Sequence, residues 1–427
     1  MGLLDGADRA AGDLAAAGGP GVAVAPRPGA LAGLTVLEVG VFMAAPFATM
    51  QLADLGARVI KVENPAGPDP TRTTGPFLQD PDGHRHSSPF ARLNRNKESV
   101  ALDLKSDAGR SAFLRLAARA DALVENLRPG ALRRLGLGPD ELAEVNPGLV
   151  YASASGFGQD GPLAALPGLD IMAQARSGLM SITGTPDGDP VKIGVPICDL
   201  VSGLYTALAV VSALRARDRD GAGQSVDVSL LESGVSLAVW EAGKYLATGE
   251  VGRPLGSAHQ TQAPYQAVRC ADGFVTLGAI TPKTWDGLCT ALDLPALRDD
   301  PRYRDSSSRH ALRAELIPAI EAATATRARA EVVAALEAAG VPCAPIEDYG
   351  QVFTDGHLRE RDYFWDAEHP DLGPVRQLGS PMRLSGTPAR RGPAGPVLGA
   401  DTRAVLTEVG ASPEEIDAAL AALAVAR

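Results

Sequence analysis

Between residues 34 and 158, short Val/Leu/Ile-rich runs alternate with helical stretches, and this alternation constrains the fold more than any other feature of the chain. "LTVLEVG" (34–40) reads as a buried strand, "PFATMQLADLG" as a helix stopped at Gly56, and "RVIKVE" (58–63) as the next strand. "SVALDL" (99–104), "AGRSAFLRLAARA" (108–120), "DALVENL" (121–127), "PDELAEVN" and "GLVYASASGFG" (148–158) continue the pattern. Strands separated by helices imply parallel βαβ units and an α/β, doubly wound sheet. The turn after the first strand is "EVGVFMAAP" and lacks GxGxxG, which disfavours a dinucleotide site of standard form.

After residue 225 the pattern changes. "GQSVDVSLLESGVSLAVWEAGKYLATG" reads as a strand and a long helix, and "YQAVRCADGFVTLGAI" as a hairpin turning at Asp272-Gly273. Helices are expected over about 283–293, 309–323 and 328–339, with Gly340 as C-cap. "VPCAPI" resumes strand character, and Ser412 and Glu415 form a capping box. The expected organisation is an N-terminal arm over 1–30, a large domain over 31–225, a smaller α+β domain over 226–340, and a return to the large domain over 341–427.

One stretch stands apart. "PICDLVSGLYTALAVVSALRAR" (196–217) places a single acid, Asp199, at the front of an apolar helix. Strand end, acid and helix start is where open α/β sheets bind ligands, and the positive end of a helix favours an ionised carboxylate. Three roles remain open locally: a helix cap, a ligand, or a nucleophile or base. Cys198 beside it reads as a buried structural thiol, and Asp170 in "PGLDIMAQARSGLM" as a helix cap. The pairs Arg133-Arg134 and Asn96-Lys97, and also Lys105, could supply cations to a phosphate, although single surface charges usually face only solvent.

The formal net charge of −11 and an aromatic content of 4% argue against a nucleic-acid partner. Four scattered cysteines form neither a disulfide framework nor a zinc pattern, and His84 and His86 in "GHRH" read as a solvated loop. The apolar run from Leu200 to Leu214 is shorter than the roughly 18 residues a membrane span needs, and the N-terminus lacks a basic leader. A cytoplasmic location with no membrane partner is expected.

Five ordered blocks together resemble the class III CoA-transferases, a family that includes formyl-CoA transferase, carnitine CoA-transferases and α-methylacyl-CoA racemase. They are "LAGLTVLEVG...APFATMQLADLGARVIKVENP", "NRNKESVALDLKSDAGR", "ADALVENLRPGALRRLGLG", "YASASGFGQDGPLAALPGLDIMAQARSGLM" and "VPICDLVSGLYTALAVVSALRARDRDGAGQSVDVSLLES". The resemblance covers about residues 31 to 410. It implies a Rossmann-like large domain, a small domain on long linkers, and two chains interlocked as a homodimer.

The resemblance makes Asp199 the catalytic nucleophile, carrying CoA as a thioester between an acyl-CoA donor and a carboxylic acid acceptor. CoA is then a substrate, and no prosthetic group or metal is implied. The positions matching CoA contacts are Leu102, Lys105, Asn126, Leu127 and Arg134, with Asp170 as a second acid of the pocket. Met43, Leu169 and His259 are acyl-pocket candidates, the last in "GSAHQ" (256–260), the closest stretch to the family's glycine-rich loop. Two positions depart from formyl-CoA transferase: Met43 replaces a glutamine and Asn64 an arginine, which disfavours formate and oxalate. Racemases of the family carry a Gly-His-Asp block, and here it is Gly168-Leu169-Asp170. Leucine carries no proton, so the resemblance favours transferase over racemase.

Overall fold

The computed structural model describes residues 28–426. Six parallel strands form its main sheet: β1 (Thr35–Val39), β2 (Arg58–Glu63), β3 (Lys97–Ala101), β4 (Ala122–Glu125), β5 (Val150–Ser155) and β6 (Ser225–Ser229). Their spatial order is β3-β2-β1-β4-β5-β6. The register sets Val36 opposite both Val59 and Ala122, so side chains of one parity share one face across neighbouring strands.

Both faces are covered, as a near-continuous apolar strand requires. On one face Leu37, Ile60, Leu102 and Leu123 pack with Phe113 of the helix Asp107–Ala117. On the other, Val36, Val59, Val124 and Ala152 pack against α1 (Ala44–Asp54) and the long helix Ile197–Asp220. The chain leaves β1 in one direction and resumes at β4 in the other. The connections that leave the carboxyl ends of these two neighbours therefore part to opposite faces of the sheet and leave a crevice between them.

The C-terminal segment completes the first face. Asp401 accepts the Ser99 N–H at 2.8 Å and Thr402 Oγ1 that of Ala101 at 3.0 Å, while Val405, Leu406 and Ile416 enter the core. The Ser412–Glu415 capping box forms as expected, with bonds of 2.6 and 3.2 Å.

A separate core gathers Val268, Val275, Trp285, Leu288, Leu316 and Leu336 around a three-stranded antiparallel sheet. Its hairpin turns one residue earlier than expected, at Ala271-Asp272, and Gly273, with φ +141°, opens the second strand opposite Cys270. Four further local expectations shift. The strand expected at 99–104 starts at Lys97 and ends at Ala101. The long helix after β6 is broken into Leu230–Ser236 and Val239–Thr248. The helix expected at 309–323 is two, Ser306–Ala311 and Arg313–Thr324, because Asp305 caps an earlier start. The apolar stretch 200–214 belongs to a 24-residue helix, Ile197–Asp220, long and apolar enough by length and composition to cross a membrane. In the fold one face of it packs into the core through Gly203, Thr206, Val210 and Leu214, while Leu204 and Leu208 stay exposed. Of the expected arm, residues 1–27 lie outside the described residues, whereas Gly29 packs on Gly56 so closely that a Cβ on it would meet the Gly56 Cα at 2.7 Å.

Candidate active site

The crevice at the carboxyl ends of β1, β4 and β5 opens into a cavity of about 750 Å3. Asp199, Asp170, Leu169 and Met43 all line it, together with Asn126 and Leu127. Positions far apart in the chain meet there because the strands deliver their ends to one edge of the sheet.

Asp199 sits in the first turn of the helix Ile197–Asp220, but it does not cap it. Asp170 does: its Oδ1 accepts the N–H of Cys198 at 2.9 Å and, more weakly, that of Asp199 at 3.4 Å. The local reading is therefore corrected at both acids. Asp170 begins the helix Asp170–Arg176, yet its carboxylate serves the N-terminus of another helix. Gln174, fully buried, fixes that arrangement by donating to Asp170 Oδ2 at 2.6 Å and accepting the Ile193 N–H at 2.9 Å. The i,i+4 spacing of Asp170 and Gln174 is the sequence signal for this pair.

Asp199 is left without a hydrogen bond to its carboxylate among the described residues. Burial, and then the neighbouring Asp170 charge, push its carboxyl from the ordinary 3.8 up to about 7. A carboxylate held permanently ionised by the helix is thus not what the structure contains. Burial and the Asp170 charge leave a poorly solvated, more basic oxygen. Cys198 is wholly buried, and burial with Asp170 and Asp199 pushes its thiol up to about 12, so it is inert as a nucleophile.

Leu169 is 59% exposed and faces the cavity with no titratable atom to offer. Asn126 accepts the Val41 N–H at 2.9 Å and donates to the Val41 carbonyl at 2.8 Å, pinning the loop after β1 while it lines the cavity. Arg128 and Lys192 also line it. Arg128 lies within "VENLRPG" and was passed over; Lys192 carries no sequence signal of its own.

Other expected residues lie elsewhere. The Leu102 side chain is fully buried in the sheet core, so a ligand could meet only its backbone. Lys105, Arg134 and Asn64 are exposed and outside the cavity lining. His259 lines a different cavity of about 520 Å3 with Trp240, Tyr265 and His310, so one chain does not bring it to Asp199. His86 does not stand in a simple solvated loop. Its ring packs on that of His369 at 5.4 Å, and with Asp371 these groups place ligand-type atoms within 4.8 Å. His369 Nδ1 already accepts the N–H groups of Asp371 and Leu372 at 3.2 Å, which puts its proton on Nε2 and leaves no lone pair for a cation.

The fold and this crevice belong to a known class: the chain is a member of CoA-transferase family III, whose model matches residues 31–402. It is 37% identical over 379 residues to the mouse succinyl-CoA:glutarate CoA-transferase, covering 89% of this chain and 86% of that protein. It is 37% identical over 387 residues to the succinyl-CoA:mesaconate CoA-transferase of Haloarcula hispanica, covering 90% and 97% respectively. A crystal structure of a CaiB/BaiF family protein from Brucella suis superposes with a TM-score of 0.82 at 36% identity, covering 90% of this chain and all of that one. The protein is an enzyme, a transferase acting on CoA thioesters.

Proposed function

We propose that this chain moves CoA from an acyl-CoA donor to a carboxylic acid acceptor through Asp199. The observation that carries the reading is the desolvated Asp199 carboxylate, free of hydrogen bonds, in the crevice at the sheet's carboxyl edge. Its oxygen attacks the donor thioester carbonyl and expels CoA thiolate, giving a mixed anhydride. The thiolate then attacks the Asp199 carbonyl, releasing the donor as a free carboxylate and leaving CoA on Asp199. The acceptor carboxylate attacks that thioester, and the returning thiolate attacks the acceptor acyl carbon, releasing the new acyl-CoA and the Asp199 carboxylate. Bonds broken and formed are of like kind, so the protein supplies orientation, oxyanion stabilisation and dryness.

Succinyl-CoA as donor and a five-carbon dicarboxylate as acceptor fit the relatives' names, and Arg128 and Lys192 offer cations to the distal carboxylate. The strand order 3-2-1-4-5-6 supports a Rossmann-like large domain, with the 226–340 segment as a small one. Exposed Leu204, Leu208, Val239, Trp240 and Leu246 support an interlocked homodimer that would cover them and could bring His259 to a partner's cavity. A cytoplasmic location, with CoA as substrate and no prosthetic group, completes the reading. Leu169 in the cavity gives no second base for a racemase.

The test is exchange between succinyl-CoA and glutarate or mesaconate, followed by hydroxylamine trapping and peptide mass analysis. Asp199→Ala is expected to lose at least about 1,000-fold in kcat, a nucleophile-scale effect, and only the wild-type Asp199 peptide should carry the adduct. Exchange surviving in Asp199→Ala sinks the assignment.

A further inference from the structure

Beneath the crevice lies a cluster of charges that the reaction itself does not use. Glu38, Lys61, Asp69 and Lys97 are all at most 3% exposed. Lys61 Nζ lies 2.6 Å from Glu38 Oε1 and 2.9 Å from Asp69 Oδ2, and Lys97 Nζ 2.8 Å from Glu38 Oε2. Thr49 donates to Glu38 at 2.6 Å. Burial alone would raise the Glu38 carboxyl, yet Lys61 and Lys97 hold it down at about 2. Buried charges are costly and rarely improve on an apolar core, so their other contacts show what they do.

Those contacts converge on the backbone around the start of α1. Lys61 Nζ donates to the Gly40 carbonyl at 2.8 Å, and Lys97 Nζ to the Pro46 carbonyl at 2.8 Å. Asp69 Oδ1 accepts the Phe42 N–H at 3.2 Å, along with the Thr71 N–H at 2.9 Å and hydroxyl at 2.7 Å. Phe42 is a non-glycine residue in the left-handed region, φ +59°, a conformation that persists only where its surroundings impose it. Phe42, Met43 and Ala44 line the cavity that holds Asp199. The far side of the same segment meets the Asp199 helix: a Cβ on Gly203 would approach the Ala44 carbonyl at 2.9 Å.

We infer that Asp69, held by Lys61, is a positioning residue for the transfer reaction: it fixes the Phe42–Ala44 wall of the crevice relative to Asp199. This rests on the CoA-transfer reading. The charges, rather than apolar side chains, occupy these places because the Gly40 carbonyl and the Phe42 N–H of an irregular loop need fixed partners in a dry interior, while Lys97 ties the same cluster to the first turn of α1 at Pro46.

The test compares Asp69→Ala, Asp69→Asn and a core control, Phe113→Leu, on the opposite face of the sheet. Asp69→Asn keeps the acceptor for the Phe42 N–H. Kinetics are measured well below each Tm, and crystal structures of both Asp69 variants report the Phe42 backbone. Expected for Asp69→Ala are a kcat/KM for acyl-CoA lower by about 10- to 100-fold and a Phe42 that has left positive φ. Asp69→Asn, whose Oδ1 still meets the Phe42 N–H but whose Nδ2 turns a donor toward Lys61, should lose less than Asp69→Ala with Phe42 in place, and Phe113→Leu should lose Tm at unchanged kcat/KM. Should Asp69→Ala not fold, Asp69→Ser takes its place in both arms. Asp69→Ala kinetics matching those of Phe113→Leu, or Phe42 unmoved in its crystal structure, overturns the inference. A wild-type protein with no CoA transfer would refute the functional reading instead, and the position of Phe42 would still decide whether Asp69 holds the loop.

Discussion

At the scale of single residues, the burial of Asp199 beside Asp170 has a measurable consequence. Its carboxyl is pushed up to about 7, chiefly by burial and then by Asp170, and the nucleophile must be ionised to attack. kcat/KM is expected to rise with pH through a midpoint near 7 and level off above it, as read from initial rates over pH 5–9. Stability runs the other way. The folded state holds this proton more tightly than the unfolded chain, whose value is the ordinary 3.8, so stability is lost as pH rises from about 4 through 7. Asp199→Asn should therefore raise Tm more at pH 8 than at pH 5. Equal shifts at both pH values would mean that the carboxyl is not perturbed. Asp199 itself was legible from its place before an apolar helix and from the ordered blocks around it, whereas its protonation was not, because desolvation is a property of what packs around a group.

At the scale of elements, the helix Ile197–Asp220 is started by an acid from another helix. Asp170→Ala removes the acceptor for two of its first N–H groups and should cost about 1 kcal/mol, within the usual range for a lost cap. Asp170→Asn keeps an acceptor and should cost less. Both remove the like charge beside Asp199 and should move the kcat/KM midpoint to lower pH, so urea denaturation and the pH profile together separate the two roles of Asp170. Midpoints unchanged in both variants would exclude Asp170 as a perturbing charge. Strand and helix existence was readable from periodicity, since each apolar run reports its own burial. Element ends were less so: Asp305 and Ser106 set helix starts through side-chain bonds, and the break between Ser236 and Val239 has no breaker residue to announce it.

At the scale of the whole molecule, the segment from Asp401 onward covers the sheet built by the early strands. Truncation before Thr402 strips Val405, Leu406 and Ile416 from the core of that face, and Asp401, left at the new terminus, would hold Ser99 poorly. Such a protein is expected to lose its cooperative thermal transition, as followed by circular dichroism, and a wild-type Tm would show that these helices are dispensable. The exposed apolar residues on the Asp199 helix and on Val239–Thr248 belong to the same scale. Light scattering should return the mass of two chains, and a monomer at micromolar concentration would refute the interlocked pair.

The sequence by itself determined the parallel α/β sheet, the antiparallel second unit, the acid at a helix start and the family, because all of these are written in local periodicity and ordered motifs. Only the tertiary structure decided that Asp170 caps the Asp199 helix, that Leu102 is core and His259 lies in another cavity, and that Asp69 and Lys61 grip the crevice wall from beneath. These are contacts across tens of residues, and their energies depend on exclusion of water, which no single stretch of chain achieves alone.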